Sequence, residues 1–229
     1  MAVKHTTRPN PILRLLPEKW SQALARFNLT EFYRHGARAL ARSIYRIDYY
    51  GFDRIPKTGP AVLIANHVSY VDGLILHAGI DRPVHFVIDQ TIYRVPGVHH
   101  FMKRNGSLPI APQREVVEAA LDRISAYLRQ GELVCIFPEG RLTYTGSLGR
   151  FKPGIEFIVK RDPVPVYPIA INGLWGSIFS RKYLKARFRW IPRVWRRREI
   201  RVICGEPIAP EDVNINRLQE IVLKLKYAI

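Results

Sequence analysis

The stretch Ala61-Val62-Leu63-Ile64-Ala65-Asn66-His67-Val68-Ser69-Tyr70-Val71-Asp72 constrains the fold more than any other part of the chain. Its first five residues form an unbroken apolar run opened by Pro60, which reads as a buried strand. The run ends abruptly in polar residues, and open α/β sheets gather their sites at the carboxyl ends of strands. His67 and Asp72 lie five residues apart. In a continuous helix, five steps of ~100° turn two side chains roughly 140° away from each other, so they would not meet. The pair works only if His67 sits on the turn and Asp72 in the first turn of a following helix, with Ser69 as that helix's cap. So placed, the carboxylate orients the imidazole for general-base work. Taken alone, His-x4-Asp is a weak pattern.

The remaining chain alternates strand-like and helical patterns. Strands are expected over Ile47–Gly51, Val84–Ile88, Leu108–Ile110, Leu133–Phe137, Val164–Ile171 and Glu199–Cys204. Helices are expected from Asp72 to Ala78, from Glu115 to Gln130 (closed by Gly131), from Lys152-Pro153-Gly154 onward, and from Asn216 to Tyr227. The segment Tyr93–Lys103 mixes a helical pattern with Pro96-Gly97. This alternation means an α/β sheet layered by helices.

Upstream, residues 1–12 read as an arm. A helical pattern then runs from about Arg14 to Tyr45, with a break near Asn28-Leu29-Thr30. Its second half sets Ala37, Leu40, Ala41 and Ile44 beside Arg34, Arg38, Arg42 and Arg46. That pattern suits either a helix lying in a membrane interface or one packed on the domain with a basic edge.

Charge is concentrated. Of a net +17, residues 1–50 carry nine Lys/Arg against three acids, and residues 181–201 carry ten against one. A localised excess implies a docking face for an anionic partner. In the second region Trp175, Phe179, Tyr183, Phe188, Trp190 and Trp195 interleave with the cations. Three readings fit it: membrane docking, a hairpin with core aromatics, or single-stranded nucleic acid. Cys135 and Cys204 sit in apolar runs, which is no disulfide framework and suits a reduced compartment. No apolar stretch reaches the ~18–20 residues of a membrane span. His35, His77, His85, His99 and His100 lack a paired acid at useful spacing and read as structural or surface residues.

A second polar cluster, Pro138-Glu139-Gly140-Arg141-Leu142-Thr143, follows the strand Leu133–Phe137, so both loops are expected to open onto one crevice. Arg141 offers a fork matched to phosphate or carboxylate. The helix opened by Lys152 presents free amides to an anion.

Taken together, Asn66-His67-x4-Asp72, Glu139-Gly140-Arg141 and Val164-Pro165-Val166-Tyr167-Pro168-Ile169 resemble the motifs of the glycerolipid acyltransferase family, which includes lysophosphatidic acid acyltransferases. The resemblance covers about residues 45–210. The run Phe151-Lys152-Pro153-Gly154 also looks like acyltransferase domains fused to lysophospholipid transporters or acyl-carrier-protein synthetases. It implies a mixed central sheet layered by helices, residues 1–45 forming an arm and amphipathic membrane-associating helix, and 46–229 an acyltransferase domain. It further implies acyl transfer from acyl-CoA or acyl carrier protein to a lysophospholipid or lysophosphatidic acid at the cytoplasmic face of an anionic membrane. No metal or bound cofactor and no nucleic-acid partner are expected.

By resemblance, His67 and Asp72 are the catalytic pair, and Asn66, Ser69 and Lys152 support them. Glu139, Gly140 and Arg141 seat the acceptor phosphate, assisted by Arg114 or Arg104. Amides near His67 or Gly140 are expected to form the oxyanion hole. Two departures stand out: Arg141 follows Gly140 with no intervening threonine, and the arginine that normally closes the family's second motif is displaced after Gly106-Ser107-Leu108-Pro109-Ile110. Both tilt the acceptor toward a lysophospholipid with a substituted head group. The rival readings are a non-catalytic basic membrane- or nucleic-acid-binding protein and a lipid hydrolase using water, although the chain lacks a Gly-x-Ser-x-Gly elbow.

Overall fold

The computed structural model describes residues 29–90, 106–177, 179–181 and 197–228. The expectations for the arm, the helix before residue 29, Tyr93–Lys103, Arg104, and most of the basic aromatic segment lie outside these residues.

A seven-stranded sheet in the order β1-β7-β6-β2-β5-β3-β4 forms the centre. The strands are β1 (Tyr45–Tyr50), β2 (Ala61–Ala65), β3 (Val84–Asp89), β4 (Leu108–Ile110), β5 (Leu133–Ile136), β6 (Val166–Asn172) and β7 (Arg198–Cys204). β6, β2, β5, β3 and β4 pair in parallel. β7 runs antiparallel to β6 and pairs in parallel with β1 at the far edge. The sheet is therefore mixed, as the resemblance implies.

The helices are α1 (Leu29–Ile44), α2 (Asp72–Gly79), α3 (Arg114–Arg129), α4 (Gly154–Arg161) and α5 (Ile215–Tyr227). All five residues of β2 are buried because both sheet faces are covered. Ala61, Leu63 and Ala65 point to one cluster with Ala41, Ile75 and Leu76, from α1 and α2. Val62 and Ile64 point to the other, with Ile124, Ile155 and Val222 from α3, α4 and α5. A continuous apolar run thus serves two cores through the strand's period of two.

α1 ends at Ile44, where β1 begins, and two of its small residues face the domain. Ala37 and Ala41 are buried, and Arg38 donates through Nε to the Ala78 carbonyl at 2.7 Å while pairing with Asp81 at 2.9 Å. Arg46 faces Glu199 at 3.6 Å. The C-terminal turns of α1 pack on α2 as part of the domain, and two rungs of the arginine ladder reach protein acceptors. Leu40, 53% exposed, stays on the solvent side. Among the described residues, no helix is long and apolar enough to cross a membrane.

Candidate active site

The loops that follow β2, β5 and β6 leave the same edge of the sheet, since these three strands are parallel neighbours. Asn66 makes the first turn possible. Its Nδ2 donates to the Ile171 carbonyl at 3.0 Å, and its Oδ1 accepts the Ile171 N–H at 2.6 Å. The fully buried side chain continues the β2–β6 ladder one step after the backbone has left it.

His67 is fixed from four sides. Its N–H donates to Glu139 Oε1 at 2.7 Å, and its carbonyl accepts the Thr143 N–H at 2.9 Å. Its ring stacks on Phe137, with centroids 4.2 Å apart, and Nδ1 lies 2.8 Å from Asp72 Oδ2. The side chain keeps 23% exposure. With Nδ1 held by the carboxylate, Nε2 is left as the nitrogen available to a ligand.

Asp72 is fully buried at the start of α2, and its Oδ2 also accepts the N–H groups of Val68 at 2.7 Å and Ser69 at 2.9 Å. The same oxygen that orients the imidazole thus shapes the turn between them. This is the geometry the spacing demands, the histidine on the turn and the aspartate in the first helical turn.

Ser69 is not the helix cap expected of it. The cap position is Val71, which has no side-chain cap bond. The Ser69 hydroxyl donates to the Phe179 carbonyl at 3.1 Å and accepts the Val71 N–H at 3.3 Å. Tyr70 N–H donates to the same Phe179 carbonyl at 3.1 Å. The chain after β6 is thereby pinned to the His67 loop.

Glu139 is buried between two loops. It is 3% exposed, and its second oxygen accepts the Gly149 N–H at 2.7 Å. A carboxylate filled by two backbone amides is a clamp between loops, and its charge repels a phosphate. Burial pushes its pKa up, while the bonds from His67 and Gly149 pull it down. Gly149 is required there, because an added Cβ would sit 2.6 Å from Glu139 Oε2.

Gly140 adopts a positive φ of 63° and leaves room for the Lys152 ammonium, which an added Cβ would meet at 2.7 Å. Lys152 also closes the loop through its N–H to the Pro138 carbonyl at 2.8 Å. Arg141 is exposed, with its guanidinium carbon 5.6 Å from the Tyr144 ring centre. Among the amides near His67 and Gly140 from which the oxyanion hole is expected, two are occupied: His67 donates to Glu139, and Gly140 donates to the Phe137 carbonyl at 2.9 Å.

Arg114 is not brought in. It is 86% exposed, pairs with Glu118 on its own helix, and follows β4, three strand spacings (roughly 14 Å) from β2.

Sequence reasoning also missed Lys226. From α5 its Nζ donates to the Gly146 carbonyl at 2.6 Å. Burial lowers its pKa, opposed by the charge of Glu139. The alternating cations of α5 gave no sign that one of them reaches this loop.

An acyltransferase family model matches residues 46–172, and the chain belongs to the acyltransferase family. It is 30% identical over 133 residues to a chloroplastic 1-acyl-sn-glycerol-3-phosphate acyltransferase of Brassica napus, covering 56% of this chain and 38% of that protein. It is 28% identical over 180 residues to a probable 1-acyl-sn-glycerol-3-phosphate acyltransferase of Mycoplasma pneumoniae, covering 72% of this chain and 62% of that protein. The chain thus spans between about a third and two thirds of the length of these curated relatives. The crystal structure of PlsC from Thermotoga maritima, a 1-acyl-sn-glycerophosphate acyltransferase, superimposes with a TM-score of 0.67 at 20% identity. It covers 93% of this chain and 83% of that one, so the two share a fold.

Proposed function

We propose that the chain transfers a fatty acyl group from a thioester to the free hydroxyl of a lysophosphatidic acid. The observation that carries this reading is the His67 Nδ1 to Asp72 Oδ2 contact of 2.8 Å, on a ring whose other nitrogen is left for a substrate. His67 Nε2 takes the proton of the acceptor hydroxyl as its oxygen attacks the thioester carbonyl. The tetrahedral intermediate collapses, the carbon–sulfur bond breaks, and the proton returns from Nε2 to the leaving thiolate. Buried Asp72 holds Nδ1–H toward itself and stabilises the imidazolium formed in between. No acyl-enzyme is invoked, since both thiols are buried. The reaction as written calls on no metal and no bound cofactor.

Arg141 and Lys152 supply the positive charge for the acceptor phosphate. Glu139 acts through His67 and not on the acceptor. The names of the relatives favour lysophosphatidic acid over a substituted head group. Acyl-CoA and acyl carrier protein both fit as donors, and the basic surface fits peripheral docking on an anionic membrane rather than on nucleic acid.

The test is thioester consumption with each donor across lysophosphatidic acid, substituted lysophospholipids, glycerol 3-phosphate and water alone, with products identified by mass spectrometry. His67→Ala is expected to lower turnover by roughly 10²–10⁴-fold. Near-normal turnover in that variant removes the mechanism, and thiol release without an acylated product makes the chain a hydrolase. Flotation with anionic vesicles at low and high salt, with and without competing single-stranded DNA, separates membrane docking from nucleic-acid binding.

A further inference from the structure

Tyr144 stands exposed beside the His67 loop with two guanidiniums near its ring. The Arg181 carbon lies 3.7 Å from the ring centre and the Arg141 carbon 5.6 Å. The two arginines come from different loops, one after β5 and the other after β6. Among the described residues, neither has an acid within ion-pairing distance. Neither guanidinium is neutralised by a protein acid there, so each attracts an anion that reaches the Tyr144 ring.

Arg181 is also held close to the reacting groups. The Phe179 carbonyl accepts from Ser69 Oγ and Tyr70 N–H, and Ser69 and Ser180 form an antiparallel bridge. Ser69 in turn donates its N–H to the carboxylate that orients His67. Arg181 is therefore one residue beyond a backbone contact with the His67 loop.

We infer that Arg181 is a second phosphate-binding guanidinium of the acceptor site, paired with Arg141 at the Tyr144 ring and selecting a phosphomonoester over a phosphodiester. The inference rests on the acyl-transfer reading for its substrate. Its physical basis is charge: a phosphomonoester carries about −1.5 to −2 at pH 7, whereas a phosphodiester carries one charge. One fork satisfies a single charge, while two forks with separate donors match the larger charge and the three free oxygens. The Tyr144 ring holds both guanidiniums by cation–π contact.

The experiment uses the full chain as wild type, Arg181→Ala, Arg181→Lys and Tyr144→Leu. Turnover is measured with lysophosphatidic acid and with lysophosphatidylglycerol, whose phosphate is a diester. Arg181→Ala is expected to raise KM for lysophosphatidic acid ~10–100-fold, the value of one charged hydrogen-bonding partner. The KM for the diester acceptor shifts less than ~3-fold. Arg181→Lys recovers part of the loss, because it restores charge without the fork, and Tyr144→Leu gives an intermediate loss. Equal shifts on both acceptors, or none on either, overturn the inference, since a merely structural arginine does not change the ratio.

Calorimetric binding of a short-chain lysophosphatidic acid, below its micelle concentration, gives a readout independent of turnover. Binding that depends on Arg181 in a chain without transferase activity upholds the phosphate site and refutes the proposed reaction. Turnover with binding indifferent to Arg181 does the reverse. Should Arg181→Ala not fold, Arg181→Lys carries the same comparison.

Discussion

Glu139 accepts the backbone N–H of His67, 72 residues earlier in the chain, at 2.7 Å. The acid of the second polar cluster thereby sets the position of the base in the first. Because its other oxygen takes the Gly149 N–H, any replacement must satisfy two donors at once. Glutamine has one acceptor oxygen to offer, so its amide N–H₂ faces one of the two amides. Glu139→Gln is expected to cost about 1–3 kcal/mol of stability, and to lower turnover through displacement of His67. Calorimetric melting and the acyl-transfer assay check both effects; full activity with an unchanged melting temperature overturns the clamp.

The same carboxyl carries a pH signature. Burial holds its pKa above the ordinary 4.5, so in the window above 4.5 the folded chain binds more proton than the unfolded one. Stability from this group is fully present below 4.5 and is lost as pH rises through the folded value. The difference between wild-type and Glu139→Gln melting temperatures should change between pH 4.5 and 7.5 in that direction. A constant offset across the range counts against it.

Asn66 should be among the least replaceable residues outside the His67–Asp72 pair. Alanine leaves both the N–H and the carbonyl of Ile171 buried without their partner. The expected cost is roughly 2–4 kcal/mol, or about 4–16 °C in Tm for a chain of this size. Aspartate keeps an acceptor for the N–H but cannot donate to the carbonyl, so it should not rescue. A near-wild-type melt for Asn66→Ala contradicts the ladder extension.

The two thiols should be silent in the folded protein. Cys135 and Cys204 are fully buried, and burial raises both, Cys204 to about 12. With almost no thiolate at neutral pH, neither is a nucleophile. Labelling by a thiol-reactive disulfide should be negligible until denaturant is added and should then reach two groups per chain. Rapid native labelling with loss of activity points instead to a thiol in the reaction.

Tyr49 gives an alkaline marker for the packing of β1 on α2. Its hydroxyl donates to the Ile75 carbonyl at 2.7 Å, and burial pushes its pKa to about 12. An unfolded tyrosine titrates near 10. The folded chain therefore keeps a proton that the unfolded chain gives up, and stability is lost as pH rises from about 10 through 12. The tyrosinate absorbance difference between wild type and Tyr49→Phe should show a midpoint near 12; a midpoint near 10 means the β1–α2 contact is open.

The pairing of His67 with Asp72 was legible because it follows from local geometry: a strand, a turn and a helix start within twelve residues. The central strands β2 and β5 were legible because their apolar runs are buried on both faces. The clamp made by Glu139 was not legible, for a physical reason. An acid in a glycine-rich loop looks like a ligand-facing group, and the amides that fill it belong to residues 67 and 149. Arg181 was read as one cation in a basic stretch, since nothing local to it names Tyr144 as its neighbour. The apolar stripe of α1 fits a membrane or a protein surface equally well, and only the buried Ala37 and Ala41 distinguish the two.

The pairing of β1 with β7 ties Tyr45 to Arg198 and Tyr50 to Ile203. During synthesis β1 emerges well before its partner β7. Until then it is a strand without a neighbour, attached to a helix whose small-residue face needs α2. β1 therefore waits for β7, and release of the chain before β7 is made would leave two sheet edges exposed to other molecules. The sheet closes around β1 only once β7 has been translated.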